Sequence, residues 1–170
     1  MSVWNLDRRN ISSKAVPKDI VEDYCDELAI ETAGKITAIV QKYDGYYTSS
    51  QSQKAFDGPF LDVFKKTSLP FDVQSIMGEN ASDGNNEFVF EVYITSKNTP
   101  NYKYRVLIMY YGLLLYPVGV TIPMDIAKEI GMKSEEEYAE DEQELRTIIQ
   151  KIFGSETIGG ILRNLAILNM

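Results

Sequence analysis

Two alternating stretches near the middle of the chain carry residues that could bind a ligand or transfer a proton. Glu91 and Tyr93 lie in one stretch, and Arg105 lies in the next. A carboxylate, a phenol and a guanidinium held together could bind an anionic or zwitterionic ligand, or take part in acid–base chemistry. The question is which elements would bring these three side chains together.

The two stretches predict neighbouring antiparallel strands. Residues 88–95 and 103–111 each place apolar side chains at every second position, and residues 97–101 have the composition of a connecting turn. Pairing Thr95 with Lys103 turns a wholly apolar face inward, which a slip by one residue would expose. The predicted cross-strand pairs are Ile94 with Tyr104, Val92 with Val106, and Phe90 with Ile108.

A third run, residues 114–122, extends the same apolar face. If Gly112 supplies a positive φ in a three-residue loop, Leu114 lies opposite Tyr110. Pro117 lacks an N–H group, so this strand is predicted to be an edge strand or to bulge there.

In this register a polar hollow forms on the second face of the sheet. Tyr93 lies opposite Arg105, Glu91 lies diagonal to Arg105, and Gly119 brings no side chain. A cross-strand salt bridge on a solvated face explains the same residues more simply. The predicted ligand-binding residues are Glu91, Tyr93, Lys103, Arg105 and Gly119, with Thr121 beside them.

A second candidate is the acidic run, residues 135–144, which holds seven carboxylates. Ser134 and Glu137 have the spacing of a capping box, so the run predicts the first turns of a helix. It could present a negative surface to a basic protein partner. A solvated helix face is the simpler explanation, because carboxylates stabilise helix N-termini. The predicted partner-binding residues are Glu135, Glu136, Glu137, Glu140, Asp141 and Glu144.

Several chemistries are excluded by residue type. The chain has no histidine and one cysteine, Cys25, which removes Ser-His-Asp and Cys-His catalysis and the usual zinc sites. The glycines form no phosphate-binding motif. We therefore predict no cofactor and no metal. Carboxylates for a magnesium site exist without a diagnostic spacing, at Asp57, Asp62, Asp83, Glu87 and Glu91.

Composition limits the class of protein and its partners. The 170 residues are 44% hydrophobic, which predicts one globular domain, with residues 1–16 either flexible or strapped to it. A formal charge of −8 argues against nucleic-acid binding. No apolar run reaches the ~18 residues of a membrane span. A lone cysteine gives no support for an oxidising compartment, so we expect a cytoplasmic protein.

Helical periodicity flanks the predicted strands. Apolar residues at spacings of three and four predict a helix over residues 17–43, with a break near residues 32–35 because Gly34 lies inside. The last helix has apolar residues on more than one stripe, so it is either buried on most sides or forms a homo-oligomer contact. The other predicted elements are a short helix at 57–66, a strand at 71–76, and helices at 123–130, from Ser134 to Gly154 and at 155–168.

These patterns predict an α+β fold: a leading helix, an antiparallel sheet of three or four strands, and a C-terminal helical layer. Two functions fit. The first is a non-enzymatic protein-binding module, such as an inhibitor, an immunity or antitoxin protein or a regulatory factor, that acts through an acidic surface. The alternative is a small-ligand-binding protein or a carboxylate-dependent hydrolase or nuclease that uses the polar hollow. The absence of a recognisable catalytic constellation favours the first.

Overall fold

The computed structural model describes residues 15–43 and 88–170. The predicted helix at 57–66, the predicted strand at 71–76 and residues 1–14 lie outside them. The fold is α+β as predicted, with a leading helix, an antiparallel sheet and C-terminal helices, but the sheet has five strands rather than three or four. The elements are α1 (Pro17–Glu31), β1 (Ile36–Lys42), β2 (Phe88–Ser96), β3 (Thr99–Tyr111), β4 (Val118–Thr121), α2 (Met124–Glu129), β5 (Glu136–Ala139), α3 (Glu142–Phe153) and α4 (Glu156–Leu168).

Helix α1 begins and ends where its sequence dictates. Pro17 occupies the first helical turn, where its missing N–H costs nothing. After Glu31 the chain leaves the helix through two consecutive residues in the left-handed region, Ala33 at φ 50° and Gly34 at φ 73°. Glycine adopts this conformation without steric cost, so the break predicted near residues 32–35 is confirmed.

The prediction that the helix resumes and runs to Tyr43 is wrong, because Ile36–Lys42 is strand β1. Both periods fit this short segment, and its β-branched residues favour a strand. Ile36, Ala38 and Val40 pack at or against the core with the period of two that a strand requires.

The sheet is an antiparallel meander in the order β1-β2-β3-β4-β5. A bulge interrupts the pairing of β2 with β3. Tyr93 pairs with Arg105 but Val92 pairs with Leu107, so Val106 is an extra residue. Val106 and Leu107 both lie in the core, as expected where two residues oppose one.

Because of the bulge, the predicted register holds on one side of Val106 and is wrong by one residue on the other. The pair Ile94 with Tyr104 is confirmed, whereas Phe90 pairs with Met109 rather than Ile108. The turn is also shorter than predicted, because Ser96 already pairs with Thr99. Beyond the bulge the alternation inverts, and the even-numbered residues of β3 leave the core face.

Strand β4 differs from the predicted third strand. It covers only Val118–Thr121 and pairs Tyr110 with Gly119 instead of with Leu114. It lies between β3 and β5, so it is not an edge strand. Pro117 stands just before it, where no ladder hydrogen bond is required of its nitrogen.

The capping box predicted at Ser134 is wrong. Its hydroxyl donates to the backbone carbonyl of Glu136 at 2.7 Å, and Glu136–Ala139 forms strand β5 against β4. Helix α3 begins instead after Asp141, whose carboxylate accepts from the Glu144 N–H at 2.9 Å. Pairing with β4 decides the structure of a segment whose local sequence is compatible with a helix.

One apolar core joins the four helices to one face of the sheet. Helix α4 is fastened to the core at its far end by Asn169, which is only 7% exposed. The Asn169 amide donates to Ser96 Oγ at 3.0 Å and to the Leu165 carbonyl at 2.6 Å. Its oxygen accepts from the Asn98 N–H at 3.3 Å. Asn169 thereby ties the C-terminal end of α4 to the β2–β3 turn.

The other end of α4 is capped by a carboxylate from α2. The Glu129 carboxylate accepts from the Thr157 hydroxyl at 2.8 Å and from the backbone N–H groups of Glu156 and Thr157. The Thr157 hydroxyl, followed by these N–H groups, holds the pKa of Glu129 below its ordinary value of 4.5. Ser155 adds an N-cap, since its hydroxyl accepts from the Ile158 N–H.

This carboxylate predicts a pH dependence of stability. A folded-state pKa below the unfolded one gives stabilisation that is present above pH 4.5 and is lost as the pH falls through the lower, folded pKa. We expect Glu129→Gln to flatten the fall of the urea midpoint below that pH. Glu156→Gln removes a carboxyl from the same helix end without breaking these contacts, and serves as the control. Parallel curves for wild type and Glu129→Gln would contradict the assignment.

Candidate functional site

The predicted polar hollow is a set of paired side chains on the face of the sheet opposite the core. The sheet-face patch consists of Gln41, Glu91, Tyr93, Lys103 and Arg105. Arg105 Nε lies 2.8 Å from Glu91 Oε2, and the Gln41 amide donates to Glu91 Oε1. The predicted proximity of Glu91 and Arg105 is therefore present, and the amide of Gln41 on β1 is an additional partner.

Two aromatic rings make cation–π contacts with the cationic groups of this face. Lys103 Nζ lies 4.7 Å from the centroid of the Tyr93 ring, and the Arg105 guanidinium lies 5.1 Å from that of Tyr43. Both Glu91 oxygens accept hydrogen bonds, although its side chain is only 13% exposed. The arrangement resembles a cross-strand lattice that stabilises a sheet face, each pair of which contributes a few tenths of a kcal/mol to about 1 kcal/mol.

Gly119 does not border Glu91. Across the sheet Glu91 is in register with Ile108 and Thr121, whereas Gly119 is in register with Tyr110 and Tyr138. The ring of Tyr110 covers the glycine so closely that an added Cβ would lie 2.1 Å from Tyr110 Cζ. The bare backbone leaves room for this ring, and the predicted space beside Glu91 is not at that position.

The acidic run is divided among three kinds of structure. Glu136 and Glu137 lie on β5, and the Glu136 carboxylate accepts from the Tyr138 hydroxyl at 2.9 Å. Asp141 caps α3, and Glu144 accepts from the Glu140 N–H at 2.8 Å. Three of the predicted partner-binding residues therefore have local structural partners, while Glu135, Glu137 and Glu140 remain exposed at the surface.

A denser acidic surface, which our sequence reasoning missed, lies on α1. Its 15 residues contain six carboxylates and one lysine. Asp19, Asp23 and Asp26 lie on the side of the helix opposite its buried residues Ile20, Val21 and Cys25. Glu27 and Glu31 follow Ile20 at helical spacing and lie along the edge of the buried side, where the helix borders a groove. The signal was available in the sequence as acids at spacings of three and four, the same period that identified the apolar side. These residues are Asp19, Glu22, Asp23, Asp26, Glu27 and Glu31.

Beside this surface a groove separates α1 from α4. Ala38 of β1 and Ile94 of β2 contribute to its lining, and Leu28 and Leu162 contribute from the two helices. Glu27 and Glu31 are its two charged lining residues. Its full lining is Tyr24, Glu27, Leu28, Glu31, Ala38, Ile94, Phe153, Ile158 and Leu162. The combination of an apolar lining and carboxylates of α1 is suited to binding a partner that is both apolar and basic.

Metal-dependent chemistry has no support in the described part of the chain, where no group of three metal-binding side chains is close enough to hold an ion. The carboxylates at Asp57, Asp62, Asp83 and Glu87 lie outside it.

No protein-family model, curated protein or solved structure matches the chain. None of the described helices is long and apolar enough to cross a membrane.

The lone cysteine is predicted to be unreactive in the folded protein. Burial, with added repulsion from Asp26 and Glu22, raises the pKa of the Cys25 thiol to about 12. The nucleophilic thiolate is therefore almost absent at neutral pH. We expect iodoacetamide to label Cys25 in denaturant within minutes and to leave the native protein unlabelled over hours, as measured by intact mass. Rapid labelling of the native protein would contradict this prediction.

Proposed function

We propose that this chain is a non-enzymatic protein-binding module that recognises a basic surface of a partner through the six carboxylates of α1. The observation that carries the proposal is the charge of α1, where six carboxylates and one lysine stand beside an apolar groove. Complementary charge accelerates association and selects partners. Apolar contact adds affinity that exposed ion pairs alone do not provide.

The exposed carboxylates of the acidic run extend this proposal. Glu135, Glu137 and Glu140 carry negative charge that is not committed to capping α3. Asp141 and Glu144 have that structural role, so substitutions there would confound loss of binding with loss of the helix cap. Variants that test binding should therefore spare both residues.

The ligand-site alternative has less support. Both oxygens of Glu91 already accept hydrogen bonds from Arg105 and Gln41, and its side chain is only 13% exposed, so a ligand would have little access to this carboxylate. The sheet-face patch also lacks a second carboxylate in contact with Glu91 among the described residues. A two-carboxylate hydrolase or a carboxylate metal site would need one.

A homo-oligomer contact through α4 is a further proposal. Ile167 and Leu168 are 64% and 61% exposed, so the helix is not buried on all sides. Two adjacent exposed apolar residues suit a contact, although scattered exposed apolar residues are common on monomers. The mass of the purified protein by light scattering, compared with that of Ile167→Glu, tests this contact directly.

The proposed function is tested by affinity capture of the tagged protein from its native lysate, together with the light-scattering mass. We expect a stoichiometric protein partner that is released by raised salt, because the distance beyond which exposed charges are screened falls from about 8 Å at physiological ionic strength to about 3 Å at 1 M salt. If the wild-type protein captures a partner and a variant with the α1 carboxylates replaced does not, the result would support binding through α1. Absence of any protein partner, with retention of a small ligand, would argue for the alternative.

A further inference from the structure

The groove between α1 and α4 has the dimensions of a side-chain anchor. Its volume is about 180 Å³, smaller than the roughly 300–1,000 Å³ of pockets that enclose drug-sized ligands. It is comparable to the apolar cavity of about 150 Å³ that accepts benzene in another protein. Such a groove can bury one or two apolar side chains of a larger partner, but it is too small to enclose most of a drug-sized ligand.

Its charge specifies what must accompany those side chains. Glu27 and Glu31 are exposed, and they lie one helical turn apart, roughly 6 Å along the axis of α1. Neither forms an ion pair with another described residue, whereas Lys18 and Glu22 on the same helix do. An occupant with cationic groups at a matching spacing would neutralise both carboxylates while its apolar side chains enter the groove.

We propose that this groove receives the apolar edge of a basic amphipathic helix from a partner protein, with lysine or arginine residues one turn apart facing Glu27 and Glu31. The inference rests on the proposed function and names the partner's chemistry. Helix-in-groove recognition uses apolar anchors at spacings of three and four, which place their flanking charges on the same spacing. The groove offers the matching geometry, since Leu28 and Leu162 belong to helices on either side of it.

A second copy of this chain is disfavoured as the occupant. The chain carries a formal charge of −8, and the rim of the groove is acidic. Its apolar helix, α4, begins with Glu156 and bears one cationic residue, Arg163. Docking α4 of another copy would therefore bring two acidic molecules together with little compensating charge.

The test uses the full chain and three labelled synthetic peptides of about 16 residues. The first is an amphipathic helix with leucine on one edge and lysine at positions i and i+4 beside it. The second has glutamate in place of each lysine, and the third has the first peptide's composition in a scrambled order without an apolar edge. We expect fluorescence anisotropy to show binding of the first peptide alone at physiological salt.

Variants locate the binding on the protein. Glu27→Lys with Glu31→Lys is expected to weaken binding of the first peptide by about tenfold or more, since two exposed ion pairs are lost and each is replaced by repulsion. Asp23→Lys with Asp26→Lys makes the same change of net charge on α1 away from the groove. That control is expected to stay within about threefold of wild type.

A filled groove separates apolar contact from charge. Ala38→Leu would fill part of the groove without altering a charge. It is expected to weaken binding of the first peptide by about tenfold. Its far-ultraviolet circular dichroism and thermal midpoint establish whether it folds. Leu162→Ser, which removes apolar contact from the opposite wall, gives a second variant if Ala38→Leu does not fold.

The possible failures are distinguishable. Equal losses in both charge-reversal pairs, or equal binding of the scrambled peptide, would overturn the groove assignment but leave a basic partner for the acidic face. Equal binding of the lysine and glutamate peptides would overturn both proposals. A dimeric light-scattering mass that becomes monomeric in Ala38→Leu would show a second copy in the groove and overturn the helix of a different partner.

Discussion

Replacing Gly119 with alanine is expected to destabilise the fold by about 2–3 kcal/mol, within the range for overfilled cores. The new Cβ would lie 2.1 Å from Tyr110 Cζ. Tyr110 is only 1% exposed and its hydroxyl donates to Tyr138 at 2.9 Å, so the ring has little freedom to move. Urea denaturation of the two proteins, compared at equal slope, measures the difference.

A double-mutant cycle identifies the cause. Tyr110→Ala removes the ring, so Gly119→Ala added to it should cost much less than in wild type. Gly160→Ala is the matched control, because Gly160 lies in α4 with nothing near its added Cβ. We expect this control to be neutral or to stabilise by up to about 1 kcal/mol. A small effect of Gly119→Ala in the wild-type background would mean that the Tyr110 ring can move away. Space beside Gly119 would then be available, and its predicted role in ligand binding would again be open to test.

The strand pattern of the sheet was predictable, but its register was predictable only as far as the bulge. Alternation identified β2 and most of β3, and it placed Tyr93 opposite Arg105 correctly. Val106 then shifts the pairing by one residue. A bulge is one inserted residue between apolar neighbours, and alternation among Val106, Leu107 and Ile108 carries no signal for it, because all three are apolar.

The errors in element type have a different origin. Ile36–Lys42 and Glu136–Ala139 are both strands in segments where helical spacing or a capping sequence is also present. In each, the deciding contribution is pairing with a strand distant in sequence or reached through a helix, which a local pattern does not contain. The four described helices have strong signals of their own, and each begins or ends within a few residues of a predicted position.

The candidate site was predictable in part. The contact between Glu91 and Arg105 followed from antiparallel pairing, because a diagonal partner is within reach of a long side chain. The register of Gly119 with Tyr110 and Tyr138 could not be predicted without knowing of the bulge. The groove depends on the separation of α1 from α4, helices that are far apart in sequence. Only its acidic rim could have been found, from the spacing of Glu27 and Glu31.

Replacing Asn169 with alanine is expected to destabilise the protein by about 1–3 kcal/mol and to loosen the last turns of α4. The amide makes three hydrogen bonds in a buried position, and its removal leaves the Asn98 N–H and the Leu165 carbonyl without this partner. Since α4 supplies Leu162 to the groove, the same variant should weaken binding of the lysine peptide. Urea denaturation and hydrogen exchange of the α4 amides measure the first effect.

Two controls separate the buried contacts of Asn169 from the general effect of changing a residue in or next to the last turns of α4. Asn164→Ala removes the same amide from an exposed position on α4 and should change stability by less than about 0.5 kcal/mol. Met170→Ala, at a position that is 99% exposed, should likewise have little effect. If Asn169→Ala matches these controls, the apolar packing of α4 and its capped first turn are sufficient to hold the helix, and the wall of the groove does not depend on the contact with the β2–β3 turn.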